Sequence, residues 1–119
     1  DFAYCDSGMI PWLLVAGLLS TSGKGLADLV AHRAALFPCS GEINRTVTDP
    51  AALIARVSEY YAPLASHTDQ IDGVSVEFAD WRFNLRISNT EAVVRLNVET
   101  KGDRALMERQ RDELLAMMH

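Results

Sequence analysis

The feature that most restricts what this chain can fold into is the alternation of apolar and polar residues between positions 74 and 98. Val74, Val76 and Phe78 alternate with Ser75 and Glu77. Trp81, Phe83, Leu85 and Ile87 alternate with Arg82, Asn84 and Arg86. Val94, Leu96 and Val98 alternate with Arg95 and Asn97. Successive side chains of a strand point to opposite faces, so a period of two gathers the apolar residues on one side of a sheet. Such a sheet covers a core with one face and meets water with the other, as antiparallel sheets do. The two-residue link Ala79-Asp80 predicts an antiparallel hairpin. A further strand is expected over 42–47, with Ile43 and Val47 on one face and Asn44 and Thr46 on the other.

Helix signals flank these strands. Thr48-Asp49-Pro50 supplies a capping side chain followed by proline at the first helical position. Leu53, Ile54, Val57, Tyr60 and Tyr61 then form an apolar face, and Pro63 ends the helix. Residues 66–70 read as a polar loop. Gly102-Asp103 starts a last helix over 104–118, with Leu106, Met107, Leu114, Leu115 and Met118 inward and Glu108, Arg109, Arg111 and Asp112 toward water. The order is β-α-β-β-β-α, an α+β fold with a small, mostly antiparallel sheet and helices on one face.

The first part of the chain is different in kind. Asp6-Ser7-Gly8 offers a helix cap and Pro11 falls in the first turn. The helix that follows is apolar on most sides: Trp12, Val15 and Leu19 join the stripe of Ile10, Leu13, Leu14 and Leu18. A helix of that kind needs cover on most sides. Residues 20–25 form a polar connection. A second amphipathic helix carries Leu26, Leu29, Val30, Ala34 and Phe37, and Pro38-Cys39-Ser40-Gly41 marks a boundary between units 1–38 and 39–119. The chain enters its apolar segment almost directly from Asp1, without a methionine, and reads as part of a longer protein whose N-terminal portion covers that helix.

Charge and composition exclude some partners. The net charge of −5 disfavours nucleic acid and anionic membrane, so an anionic small ligand would need a local basic site. The longest apolar run, 9–19, is well short of the roughly 20 residues of a membrane span. It also lacks a basic segment before it, so it is no signal peptide. Cys5 and Cys39 make neither a disulfide framework nor a metal motif, and reduced thiols fit a cytoplasmic protein. His32, His67 and His119 are scattered and read as surface residues.

One loop could carry chemistry. Ser88-Asn89-Thr90-Glu91 joins the last two expected strands, with Arg86 two residues before it on the polar strand face. Hydroxyls, an amide and turn N–H groups can all donate to an oxyanion, and a guanidinium grips phosphate with two parallel hydrogen bonds. Spacing alone still favours an ordinary turn, since Ser, Asn and Thr make good turns. Glu91 would repel a bound phosphate and is expected to cap the turn or to hydrogen-bond to backbone. Arg82 and Arg95 read as solvated sheet-face charges, although either could widen the positive patch.

The stretch 83–99, FNLRISNTEAVVRLNVE, resembles the C-terminal signature of the α-D-phosphohexomutase superfamily, the family of phosphomannomutases and phosphoglucomutases. Asp72-Gly73 before Val74, Ser40-Gly41-Glu42-Ile43-Asn44, and the opening segment 1–8 with its helix are similar to the same family. The likeness runs the length of the chain. It implies a TATA-box-binding-protein-like fourth domain, preceded by the last two helices of a third. It implies that Arg86, Ser88, Asn89 and Thr90 contact the substrate phosphate. The family often has proline where Ala92 stands, which would stiffen the loop exit. Ile87 stands where a small residue or proline is common, and should face the core.

By the same resemblance, the whole enzyme is a cytoplasmic isomerase of carbohydrate metabolism that feeds GDP-mannose synthesis. It interconverts mannose 6-phosphate and mannose 1-phosphate by intramolecular phosphotransfer, using a phosphoserine and Mg²⁺ held in domains 1–3. This chain has no such serine, metal or sugar-reading motif, so by itself it is expected to be inactive and to bind no cofactor. Glucose phosphates, or another phosphohexose, remain the alternative substrates. A different class of reading is a small α+β protein-interaction module.

Overall fold

The computed structural model describes residues 7–89, 91 and 93–119. Two units are distinguished, one ending at Ala34 and one spanning Ala35–His119.

In the first unit, helix α1 covers Met9–Ser22, three residues beyond the apolar run. The extension is held locally: the Ser20 and Thr21 hydroxyls each donate to the carbonyl one turn back, at 2.9 Å. Gly23, at φ 64°, then ends the helix in the left-handed conformation that glycine adopts at least cost. At the other end the Ser7 hydroxyl accepts the Met9 N–H at 3.3 Å, whereas Asp6 lies outside the described residues. No residue of α1 is buried; Trp12, Leu13 and Leu14 are all more than half exposed. Helix α2, Leu26–Leu36, likewise buries none of its residues.

The second unit is an antiparallel sheet with two helices on one face. Its strands are β1 (Ile43–Arg45), β2 (His67–Asp69), β3 (Val74–Glu77), β4 (Trp81–Ile87) and β5 (Val94–Thr100), in the spatial order β1-β5-β4-β3-β2. Every neighbouring pair is antiparallel. Helices α3 (Pro50–Tyr61) and α4 (Arg104–Ala116) begin as the sequence predicts: the Asp49 and Asp103 carboxylates accept the N–H groups of Ala52 and Leu106 at 2.9 and 2.8 Å.

Two strands differ from the sequence reading. The stretch 66–70 is not only a polar loop, because His67–Asp69 pairs with Glu77, Val76 and Ser75 of β3. An outermost strand takes its hydrogen bonds from one neighbour and buries little, so it needs no apolar pattern, and polar residues there discourage edge-to-edge association. The strand expected over 42–47 pairs only at Ile43–Arg45. The described sheet therefore has five strands rather than four.

The core lies between the sheet and the helices. Val74, Val76, Phe83, Leu85, Val94, Leu96 and Val98 meet Leu53, Val57 and Tyr61 of α3 and Met107, Leu114 and Met118 at the C-terminal helix. Tyr61 sits edge-on to Phe78, Trp81 and Phe83, while Phe78 stacks on Trp81 at 4.2 Å. Apolar burial of this kind is the main stabilising contribution, about 1.5–3 kcal/mol for each large side chain. Ile87 has the core-side register but ends its strand, and it stays 43% exposed.

Candidate functional site

The solvent face of the sheet carries the side chains that the core face leaves out. Arg82, Asn84 and Arg86 of β4 project there beside Arg95, Asn97 and Glu99 of β5. They line a shallow concavity of about 280 Å³. Its two ends differ. At one, Arg82 is committed to Glu99 at 2.9 Å, and that hydrogen bond is the main reason its proton is held above the ordinary value.

At the other end Arg86 stands directly opposite Arg95 in the β4–β5 register. Like charges placed so repel one another. Three carboxylates offset this. Glu42 lies between the two guanidiniums, with one oxygen 3.3 Å from Arg86 Nη2 and the other 3.5 Å from Arg95 Nη1. Asp72 binds Arg86 alone at 3.2 Å, and Glu91 binds Arg95 alone at 3.2 Å. Arg95 Nη2 also donates to the Ser88 hydroxyl at 3.3 Å, which joins the turn to the arginine pair. The buried Nε of Arg95 has no hydrogen-bond partner among the described residues.

The sequence-derived site residues are thus partly gathered. Arg86 and Ser88 both reach this cluster, Ser88 through Arg95. Asn89 is exposed in the turn after β4, and Thr90 lies outside the described residues. Among the described residues the Glu91 carboxylate goes to Arg95 rather than to the turn, and the Ser88 hydroxyl caps it by accepting the Glu91 N–H at 3.2 Å. A hydroxyl two or three residues before an N–H closes a turn more compactly than a longer carboxylate can. Arg95 is not a solvated charge either, since its side chain is only 25% exposed and it contacts Glu42, Glu91 and Ser88 within the cluster. The signal that could have found it was its place on the polar face of β5. What could not be read was the register that sets it opposite Arg86.

Gly73 explains why Asp72 is there. At φ 75° it turns the chain into β3 so closely under β4 that a Cβ would lie 2.4 Å from the Leu85 carbonyl oxygen and 2.5 Å from Arg86 Cβ. Only glycine fits. Asn84 fixes the same turn by donating to the Asp72 carbonyl at 2.8 Å. Among the described residues no three His, Cys, Asp or Glu side chains are grouped to hold a metal, and Glu42, Asp72 and Glu91 are each taken by arginine.

Residues 42–117 match the family described as phosphoglucomutase/phosphomannomutase, C-terminal domain. The chain belongs to that family. A phosphomannomutase of Salmonella montevideo is 59% identical over 119 residues, covering all of this chain. A phosphomannomutase of Escherichia coli is 58% identical over 118 residues, or 99% of the chain. A protein of Xanthomonas campestris named for phosphohexose mutases is 57% identical over 114 residues, or 96% of the chain. The chain spans 26% of the length of the first two and 25% of the third. In this chain the domain is an α+β unit whose solvent-facing sheet end carries the Arg86–Arg95 pair.

Proposed function

We propose that this domain is the substrate-phosphate clamp of a phosphomannomutase that interconverts mannose 6-phosphate and mannose 1-phosphate. The observation that carries the reading is the Arg86–Arg95 pair beside the Ser88 turn, two guanidiniums in register at the open end of one sheet. Guanidiniums bind phosphate oxygens through paired, charge-assisted hydrogen bonds. Arg86, Ser88, Asn89 and Thr90 are the contacts in this reading, with Arg95 added by its position. The relatives' names favour mannose phosphate, and glucose phosphates are the alternative within the same family.

The clamp orients and neutralises the phosphate that is not being transferred. Transfer itself depends on several groups acting together, so a single wall does not supply it. The chain alone is therefore inactive, and the phosphoserine, the Mg²⁺ ligands and the sugar-reading residues belong to domains 1–3 of a longer cytoplasmic protein. When bound there, Mg²⁺ supplies charge neutralisation at a phosphoryl oxygen.

Amide NMR titration of this chain with mannose 1-phosphate tests the reading. Ser88 and Asn89 shift, and Arg86→Ala abolishes the shifts. A flat titration to tens of millimolar favours instead an interaction module that binds a protein partner. Mutase turnover by the isolated chain above blank would sink the claim of inactivity.

A further inference from the structure

The cluster holds three carboxylates for two guanidiniums, so by itself it is negative, not positive. A phosphate dianion meets that cluster only by displacing some of the carboxylates. They are not equivalent. Glu42 touches both arginines with separate oxygens, while Asp72 and Glu91 touch one each. Glu42 is 44% exposed, against 70% for Asp72 and 61% for Glu91. Its backbone immediately precedes Ile43, which is paired to Leu96 in the sheet, whereas Glu91 lies in the turn and Asp72 in the loop before β3.

Taking the phosphate-clamp reading as given, we infer that Glu42 is a positioning residue which keeps Arg86 and Arg95 together as one anion site, while Asp72 and Glu91 are internal anions that compete with phosphate. Two guanidiniums directly opposite each other repel, and their long side chains separate unless a shared anion lies between them. Glu42 is that anion before phosphate arrives, from the side of β1. Asp72 and Glu91 occupy the outer N–H groups of the same guanidiniums. They are exposed enough to swing into water at small cost. Phosphate then takes the N–H groups they release, and Glu42 stays.

The inference gives the three carboxylates opposite signs, which a general loss of structure would not. Inorganic phosphate is titrated into this chain and into Glu42→Gln, Asp72→Asn and Glu91→Gln, with the Ser88 and Asn89 amides observed. Asp72→Asn and Glu91→Gln tighten binding, and Glu42→Gln weakens it, each by about two- to fivefold, the scale of one charged partner at a partly exposed site. The side-chain ¹⁵N–H signals of Arg86 and Arg95 give a second reading without phosphate. Glu42→Gln broadens both, Asp72→Asn only Arg86, and Glu91→Gln only Arg95. If the unsubstituted chain binds phosphate and Glu42→Gln binds it more tightly, Glu42 is a third competitor and the inference is overturned while the clamp reading stands. A flat titration in all four proteins overturns the clamp reading and this inference with it.

Discussion

Gly73 packs against the backbone of Arg86 so closely that no other residue could occupy its position: an added Cβ would come within 2.7 Å of Arg86 Cα and 2.4 Å of the Leu85 oxygen. The contact ties a stability feature to a binding feature. The turn that lets β3 start beside β4 also delivers the Asp72 carboxylate to the Arg86 guanidinium.

Gly73→Ala therefore destabilises the domain. The φ of 75° alone costs a non-glycine residue about 1–3 kcal/mol, and the clash is with backbone that cannot move aside cheaply. Urea unfolding should show a loss of at least about 2 kcal/mol. A variant as stable as the parent would mean that the turn relaxes freely.

Arg86→Lys in the full-length enzyme lowers kcat/KM. A lysine has a single ammonium and cannot give phosphate two parallel hydrogen bonds while keeping the contact with Glu42. Loss of charged hydrogen bonds worth about 1.5–3 kcal/mol corresponds to roughly 10- to 150-fold. Steady-state kinetics should place most of the effect in KM, with the metal dependence unchanged. An unaltered KM would argue against Arg86 as a phosphate contact.

Tyr61 offers a pH test. Burial raises its phenol above the ordinary value of 10.0, and the nearby Glu113 carboxylate raises it further. The unfolded chain ionises this phenol near pH 10 while the fold keeps it protonated. Its contribution is thus full below pH 10 and is lost as pH rises beyond it. The hydroxyl faces the Glu113 carboxylate but makes no hydrogen bond within 3.5 Å among the described residues, so Tyr61→Phe should stay within about 1 kcal/mol of the parent at neutral pH. Above pH 10 the variant should lose less stability than the parent. Thermal melts at pH 7 and pH 10.5 distinguish the outcomes.

The unit Ala35–His119 should fold by itself. Apart from Pro38, every buried apolar side chain among the described residues lies between Leu53 and Met118. A polypeptide beginning at Ala35 should give a cooperative unfolding transition and a dispersed amide spectrum. A collapsed spectrum would show that residues before Ala35 contribute to this core.

The sequence by itself determined what is local. The alternation at 74–98 set which residues of β3, β4 and β5 face the core, because a strand's side chains have no third direction to take. Asp49 and Asp103 set the helix starts, because a cap needs only its own next three residues. Arg86 and Ser88 stand in the stretch that carries the family likeness. Tertiary structure decided the rest. The pairing of His67–Asp69 with β3 has no apolar signal, since an edge strand buries little. The Glu42 contact joins Arg86 and Arg95 across the sheet, and it depends on β1 pairing with β5 rather than with its sequence neighbours. Strand register is a long-range property, fixed only when the whole sheet closes over its core. Whether the two arginines form one site follows from that register.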